Sequence, residues 1–156
     1  MIVSTIQPIR KQVTVGASQA KAFEVFTAGI GRWWNPEFKI GAEPYATAVI
    51  EPNEGGRWYE RGEGGAECDW GRVLVWDPPQ RVVLDWQIDA SWQYDANLHT
   101  ELEVRFVADG PSATRVELEH RGLEAMGDKA EEIRGIFDSP GGWAGLLERF
   151  GGAAMD

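Results

Sequence analysis

The stretch Ser139-Pro140-Gly141-Gly142-Trp143-Ala144-Gly145-Leu146-Leu147-Glu148-Arg149-Phe150 decides the fold. Trp143, Leu146, Leu147 and Phe150 stand at i, i+3, i+4 and i+7, so four large apolar side chains share one stripe of an α-helix. Ser139 is the expected N-cap, Pro140 suits the first turn, and Gly151-Gly152 is the expected exit. Each stripe residue contributes roughly 2 kcal/mol when fully buried, about 8 kcal/mol for the face. A lone helix cannot bury such a face, so the rest of the chain must supply its partner.

Upstream, the alternation changes from helical to period two. Ile9 to Val15 reads as a first strand, and Ser18 as the N-cap of a helix carrying Ala22, Phe23, Phe26 and Ile30. Strands follow at about 45–51, 57–61, 66–77, 80–89, 98–108 and 114–121, separated by turn tracts such as Asp77-Pro78-Pro79-Gln80 and Asp109-Gly110-Pro111-Ser112. Parity sets Trp70, Leu74 and Trp76 on one face with Val82, Leu84, Trp86 and Ile88, and turns Arg81, Asp85 and Gln87 to water. A helix is expected from Asp128, with Glu131 completing a capping box and Ala130, Ile133 and Phe137 as its apolar face. With no repeat or linker, residues 1–156 form a single α+β domain, an antiparallel sheet covered by the last helix. A sheet curled beyond what one helix can fill leaves an apolar hollow, the default ligand site.

Composition narrows the function classes. The chain has 156 residues and a formal net charge of -10, which disfavours nucleic acid and anionic membrane surfaces as partners. Cys68 is the only cysteine, which fits a reducing cytoplasm, and the N-terminal Met1 to Pro8 has neither the basic nor the apolar region of a leader. Two His and one Cys, without ligand spacing, point to no metal; no cofactor motif, nucleophile elbow or catalytic constellation stands out.

The unusual count is eight Trp. Trp34, Trp58, Trp70, Trp76, Trp86 and Trp143 either fill the core or border a cavity, with two or three expected at its wall. Trp33 and Trp92 are expected at the surface or mouth. His120 shares the inward parity of Val116 and Leu118; it is either a ligand-binding group or acid/base, or a hydrogen-bonded core histidine. His99 falls on the solvent face with Glu101 and Glu103. Glu60 and Arg72 follow the inward parity of Trp58 and Trp70, where they would orient a polar ligand group; the alternative sets both at the sheet rim.

Four stretches carry a family likeness: Gly55-Gly56-Arg57-Trp58-Tyr59-Glu60-Arg61, Trp70-Gly71-Arg72-Val73-Leu74, Trp76-Asp77-Pro78-Pro79-Gln80-Arg81-Val82-Val83-Leu84-Asp85-Trp86, and Gly142-Trp143 with Leu146-Leu147. The chain resembles the SRPBCC superfamily of START-like (Bet v-like) helix-grip domains, and in particular bacterial relatives of the activator of heat-shock protein 90 ATPase, C-terminal domain. The resemblance implies a curved sheet of about seven strands gripping the long C-terminal helix around an internal hydrophobic cavity. The tract 124–140 is longer than the family's usual approach to that helix, which implies a different cavity mouth.

Three functions are compatible with this reading. The first is a non-enzymatic domain binding a small hydrophobic or amphipathic molecule through Trp34, Trp58, Glu60, Trp70, Arg72, Trp86, His120 and Trp143. The second, implied by the resemblance alone, is a chaperone-regulating interaction module. The third is a cyclase- or hydrolase-like enzyme using His120. Monomer and homodimer are both compatible with the sequence.

Overall fold

The computed structural model describes residues 6–155; Met1 to Thr5, part of the segment read as lacking a leader, lie outside the described residues. The elements are β1 (Ile9–Val15), α1 (Gln19–Thr27), α2 (Ile30–Trp33), β2 (Tyr45–Ile50), β3 (Arg57–Gly62), β4 (Glu67–Asp77), β5 (Arg81–Trp86), β6 (Thr100–Ala108), β7 (Thr114–Arg121), α3 (Ala130–Asp138) and α4 (Trp143–Ala154). The seven strands form one sheet in the order β1-β7-β6-β5-β4-β3-β2, every pair antiparallel. This is the α+β helix-grip architecture: the sheet curls into a half-barrel around the C-terminal helix.

β1 and β2 are the two edge strands, so α1 and α2 carry the chain from one edge to the other. Ser18 caps α1 by accepting from Lys21 N at 3.2 Å, and Ala22, Phe23 and Phe26 are buried. The α4 stripe behaves as its spacing requires: Trp143, Leu146, Leu147 and Phe150 are all buried. Phe150 meets Phe26 and Trp33 edge-on, with ring centroids 5.2 and 5.6 Å away. Arg149 ties α4 to the end of α2, its Nε donating to Trp33 O at 2.8 Å.

The ends of α4 differ from the sequence reading. Ser139 closes α3 instead of opening α4, its hydroxyl donating to Ile136 O at 2.6 Å. The N-cap of α4 is Gly142, where a Cβ would collide with the carbonyl oxygens of Phe137 and Ile136, so the α3–α4 turn needs glycine. Gly151 and Gly152 do not end the helix, which runs to Ala154. A Cβ on Gly151 would lie 3.7 Å from Val15 and 3.8 Å from Val13, so this glycine marks where α4 packs close on β1. Asp128 is not a cap either: Gly127, at φ 68°, breaks a 3-10 stretch there, and α3 begins at Ala130.

Two β-bulges explain the parity errors. Trp58 pairs with Gly71 but Tyr59 with Asp69, leaving Trp70 as the extra residue on β4. Trp70 therefore points inward and Arg72 outward, opposite Arg57 and Asp85, so the inward placement of Arg72 is corrected. A second shift between Val73 and Val75 leaves Leu74 exposed and Val73 buried, the reverse of the simple alternation. On the outer face, Asp85 and Gln87 are buried rather than solvated. His99 Nδ1 lies 2.6 Å from Asp85, and the Gln87 amide donates to Ala96 O in the 90–97 loop at 3.2 Å.

Candidate functional site: an indole-walled cavity

A cavity of about 480 Å³ opens between the concave sheet face, the 34–40 segment, the end of α3 and the start of α4. That volume lies in the range of sites for small organic ligands. Its wall is aromatic: Trp34, Trp70, Trp86, Trp143 and Phe137 surround it, with Ile40, Ile88 and Leu146 between them. Polar side chains are few, namely Glu37, Lys39 and Ser139.

The four indoles are held in place individually. Trp34 follows α2, whose terminal carbonyls are engaged by Arg149, and its ring lies 4.9 Å from that of Trp70 and 6.0 Å from that of Trp143. Trp70 donates its indole N–H to the Glu60 carboxylate at 3.0 Å. Trp86 donates to Ile88 O at 3.2 Å, and Trp143 to His120 Nδ1 at 3.1 Å. Trp58 stands behind this wall, 5.5 Å from Trp70 and 5.6 Å from Trp86, and closes the cage edge-on. Among the described residues, the indole N–H groups of Trp34 and Trp58 are buried without a hydrogen-bond partner.

Glu60 is a buried carboxylate with a structural task. It accepts from Ile40 N at 2.6 Å and Gly41 N at 3.2 Å as well as from Trp70. One side chain thus fixes both the 34–40 wall and the orientation of an inner indole. Glu60→Ala would strand three donors, so it is expected to cost roughly 2 kcal/mol or more of unfolding free energy in a denaturant titration. A loss under about half a kcal/mol would mean the wall is held otherwise.

His120 is fully buried and lies one layer behind the cavity. The hydroxyl of Thr100 gives its single proton to Trp86 O at 2.9 Å, so it must accept from His120 Nε2–H at 3.0 Å. An indole N–H can only donate, so His120 Nδ1 carries the lone pair that receives Trp143. The chain Trp143→His120→Thr100→Trp86 O therefore fixes one neutral tautomer. Burial agrees, pushing the imidazole down to about 3. Phe137 stacks on the ring at 5.2 Å. Both nitrogens are occupied in latching α4 to the sheet, which leaves none for a ligand or for proton transfer without breaking the latch.

Of the eight residues expected at the site, Trp34, Trp70, Trp86 and Trp143 line the cavity. Trp58, Glu60 and His120 support it from behind, and Arg72 lies on the opposite face of the sheet. Trp33, expected at the surface or mouth, is core; Trp92 is at the mouth as expected. Sequence reasoning missed Phe137 as a wall residue, although its helical face had been identified, and missed Phe38 and Ile136 at the rim. The 124–140 tract supplies α3 and hence these mouth residues. Cys68 is held above the usual thiol range by burial, Glu60 and Asp69, the opposite of an activated thiolate. No helix among the described residues is long and apolar enough to cross a membrane, and they contain no group of three or more His, Cys, Asp or Glu able to hold a metal.

Over residues 16–153 the sequence matches the family described as Activator of Hsp90 ATPase homolog 1-like protein. No curated protein matches it significantly. Among solved structures it is similar to Txn09, described as an anthrahydroquino-gamma-pyrone synthase, with 42% identity, 96% of this chain and 97% of that chain covered, and a TM-score of 0.67. It is also similar to CalC from Micromonospora echinospora, described as a self-sacrificing resistance protein, with 34% identity, 94% and 93% covered, and a TM-score of 0.69. An HSP90 activator from Plasmodium falciparum, 14% identical over 73% of this chain and 71% of that chain with a TM-score of 0.50, shares the fold.

Proposed function

The chain belongs to the Activator of Hsp90 ATPase homolog 1-like family, within the SRPBCC superfamily, and from that premise we propose that it binds a planar, polycyclic aromatic small molecule. The observation that carries this reading is the cavity of about 480 Å³ walled by four fixed indoles. Rigid aromatic walls favour flat rings, which they can stack on or meet edge-on without ordering flexible side chains. The unpartnered N–H of Trp34 is buried within the wall, so a guest meets the faces and edges of the indoles and not this donor. Txn09 is described as a synthase of an anthrahydroquino-gamma-pyrone, a fused ring system, which supports the same ligand class.

The probe is 1,4-dihydroxyanthraquinone, titrated against tryptophan emission with inner-filter correction. Saturable quenching at one equivalent, with micromolar affinity, is the expected result. Linear, unsaturable quenching across a panel of hydroxyanthraquinones would count decisively against the reading. Trp34→Leu keeps the wall apolar but removes one aromatic face; it is expected to weaken binding about three- to tenfold.

The 42% identity to a synthase favours a second reading, in which the bound ring system is also transformed. His120 is fully engaged, so reacting groups would have to come from Glu37, Lys39 or Ser139 on the wall. Deleting the gene in its host separates the two: a transforming protein leaves a precursor accumulating, whereas a binder leaves the same set of metabolites. The chaperone reading has the family description and a shared fold in its support. It predicts micromolar binding to the host's heat-shock protein 90 and a change in its ATPase rate, neither of which the cavity reading requires.

A further inference from the structure

The mouth of the cavity contains a residue in a backbone conformation its side chain disfavours. Trp92 has φ 61°, and no other non-glycine residue among those described has a positive φ. A bulky side chain in this region is strained, whereas glycine adopts it freely. Asp89 holds the turn there. Its Oδ1 accepts from Ser91 N at 2.8 Å and from Gln93 N at 3.0 Å. Its backbone O accepts from Trp92 N at 3.0 Å, and its N donates to Gln93 O at 2.8 Å. Four hydrogen bonds thus wrap one residue.

The turn does not bury the indole it constrains. Trp92 is 42% exposed, its ring set edge-on to the wall residue Phe137 at 6.0 Å, and it lines the cavity. Phe38 and Ile136, 40% and 44% exposed, are the other large apolar side chains of the rim. Folding would be served as well or better by glycine at position 92. A strained, half-exposed indole beside a ligand-sized hollow is explained by contact with what enters it.

Resting on the cavity reading, we propose that Trp92 stacks on the outer ring of the bound planar molecule. Asp89 is its positioning residue. The ligand therefore extends from the inner indoles to the rim, with its last ring against Trp92 at the mouth.

The test uses the full chain and 1,4-dihydroxyanthraquinone. Trp92→Gly is expected to weaken binding about three- to tenfold, the size of an aromatic pair, while Tm stays equal or rises. Trp92→Phe should recover most of the affinity. Asp89→Ala, which keeps the indole but frees the turn, should weaken binding with a smaller effect. Wild-type affinity in Trp92→Gly overturns the proposal and leaves the cavity reading intact. A large drop in Tm for Trp92→Gly also overturns it, since the indole would then be structural. Failure of the wild type to bind overturns the cavity reading and this proposal together.

Discussion

Phe150→Ala is expected to lower the unfolding free energy by about 3–5 kcal/mol, the usual cost of emptying a well-packed aromatic site. Phe150 has no exposed surface and joins α4 to both α1 and α2 through Phe26 and Trp33. The helix cannot collapse into the gap without shifting Arg149 from the Trp33 carbonyl and Gly151 from β1. The exposed neighbour Glu148 is the control: Glu148→Ala should change stability by less than about half a kcal/mol. Denaturant titration reads both. A Phe150→Ala loss below about 1 kcal/mol would mean that α4 does not dock as a packed helix.

Acidification is expected to unlatch the same helix through His120. Its pKa is lowered from 6.5 to about 3 by burial, so above pH 6.5 native and unfolded chains are alike neutral at this position. As pH falls from 6.5 toward 3, the unfolded chain takes up a proton that the native chain refuses, and stability is lost. The loss is about 2 kcal/mol at pH 5 and about 4–5 kcal/mol by the lower limit. Burial acts upward on the carboxyls of Glu103 and Glu119, yet arginine hydrogen bonds hold both below the usual range. Depressed carboxylates lose their contribution below about pH 4.5, so the interval from pH 7.5 to 5 reports chiefly on histidine. Comparing wild type with His120→Asn over that interval isolates the group. The variant should start less stable, because it breaks the latch, but should lack the wild-type loss of about 2 kcal/mol. Equal pH dependence in both proteins would contradict the buried neutral tautomer.

The architecture was legible because its signals are redundant. The apolar stripe of α4, the alternation of β6 and β7, and the Asp77-Pro78-Pro79-Gln80 bend each demand the same helix-on-sheet packing. Alternation failed at Arg72 and Leu74, since a bulge inserts one residue and reverses every side chain after it. No local motif marks a bulge in advance, although Gly71 was a clue: a Cβ there would fall on the Asp85 carbonyl oxygen. Outer-face burial at Asp85 and Gln87 was hidden for a different reason. It arises from His99 and the 90–97 loop folding over the sheet, contacts that periodicity cannot express.

At the site, the density of Trp was compatible with a filled core or with two or three indoles bordering a cavity; four of those six, Trp34, Trp70, Trp86 and Trp143, line it. His120 was correctly turned inward, but parity could not show that Thr100 and Trp143 occupy both of its nitrogens. Parity left Glu60 between an inward position and the sheet rim; it is buried, and its bonds go to Trp70, Ile40 and Gly41. Of the rim, Trp92 was legible, but Phe38 and Ile136 were not, because the rim assembles from three separate segments.

Indole N–H resonances of ¹⁵N-labelled protein, recorded while 1,4-dihydroxyanthraquinone is added, report directly on whether a ligand sits between sheet and helix. Eight tryptophans give eight separate reporters. Trp34, Trp70, Trp86, Trp92 and Trp143 are expected to shift in a saturable, one-to-one manner, whereas Trp33, Trp58 and Trp76 move little. Shifts confined to Trp92 and Trp76, or no saturable shift at any indole, would contradict a ligand seated between sheet and helix.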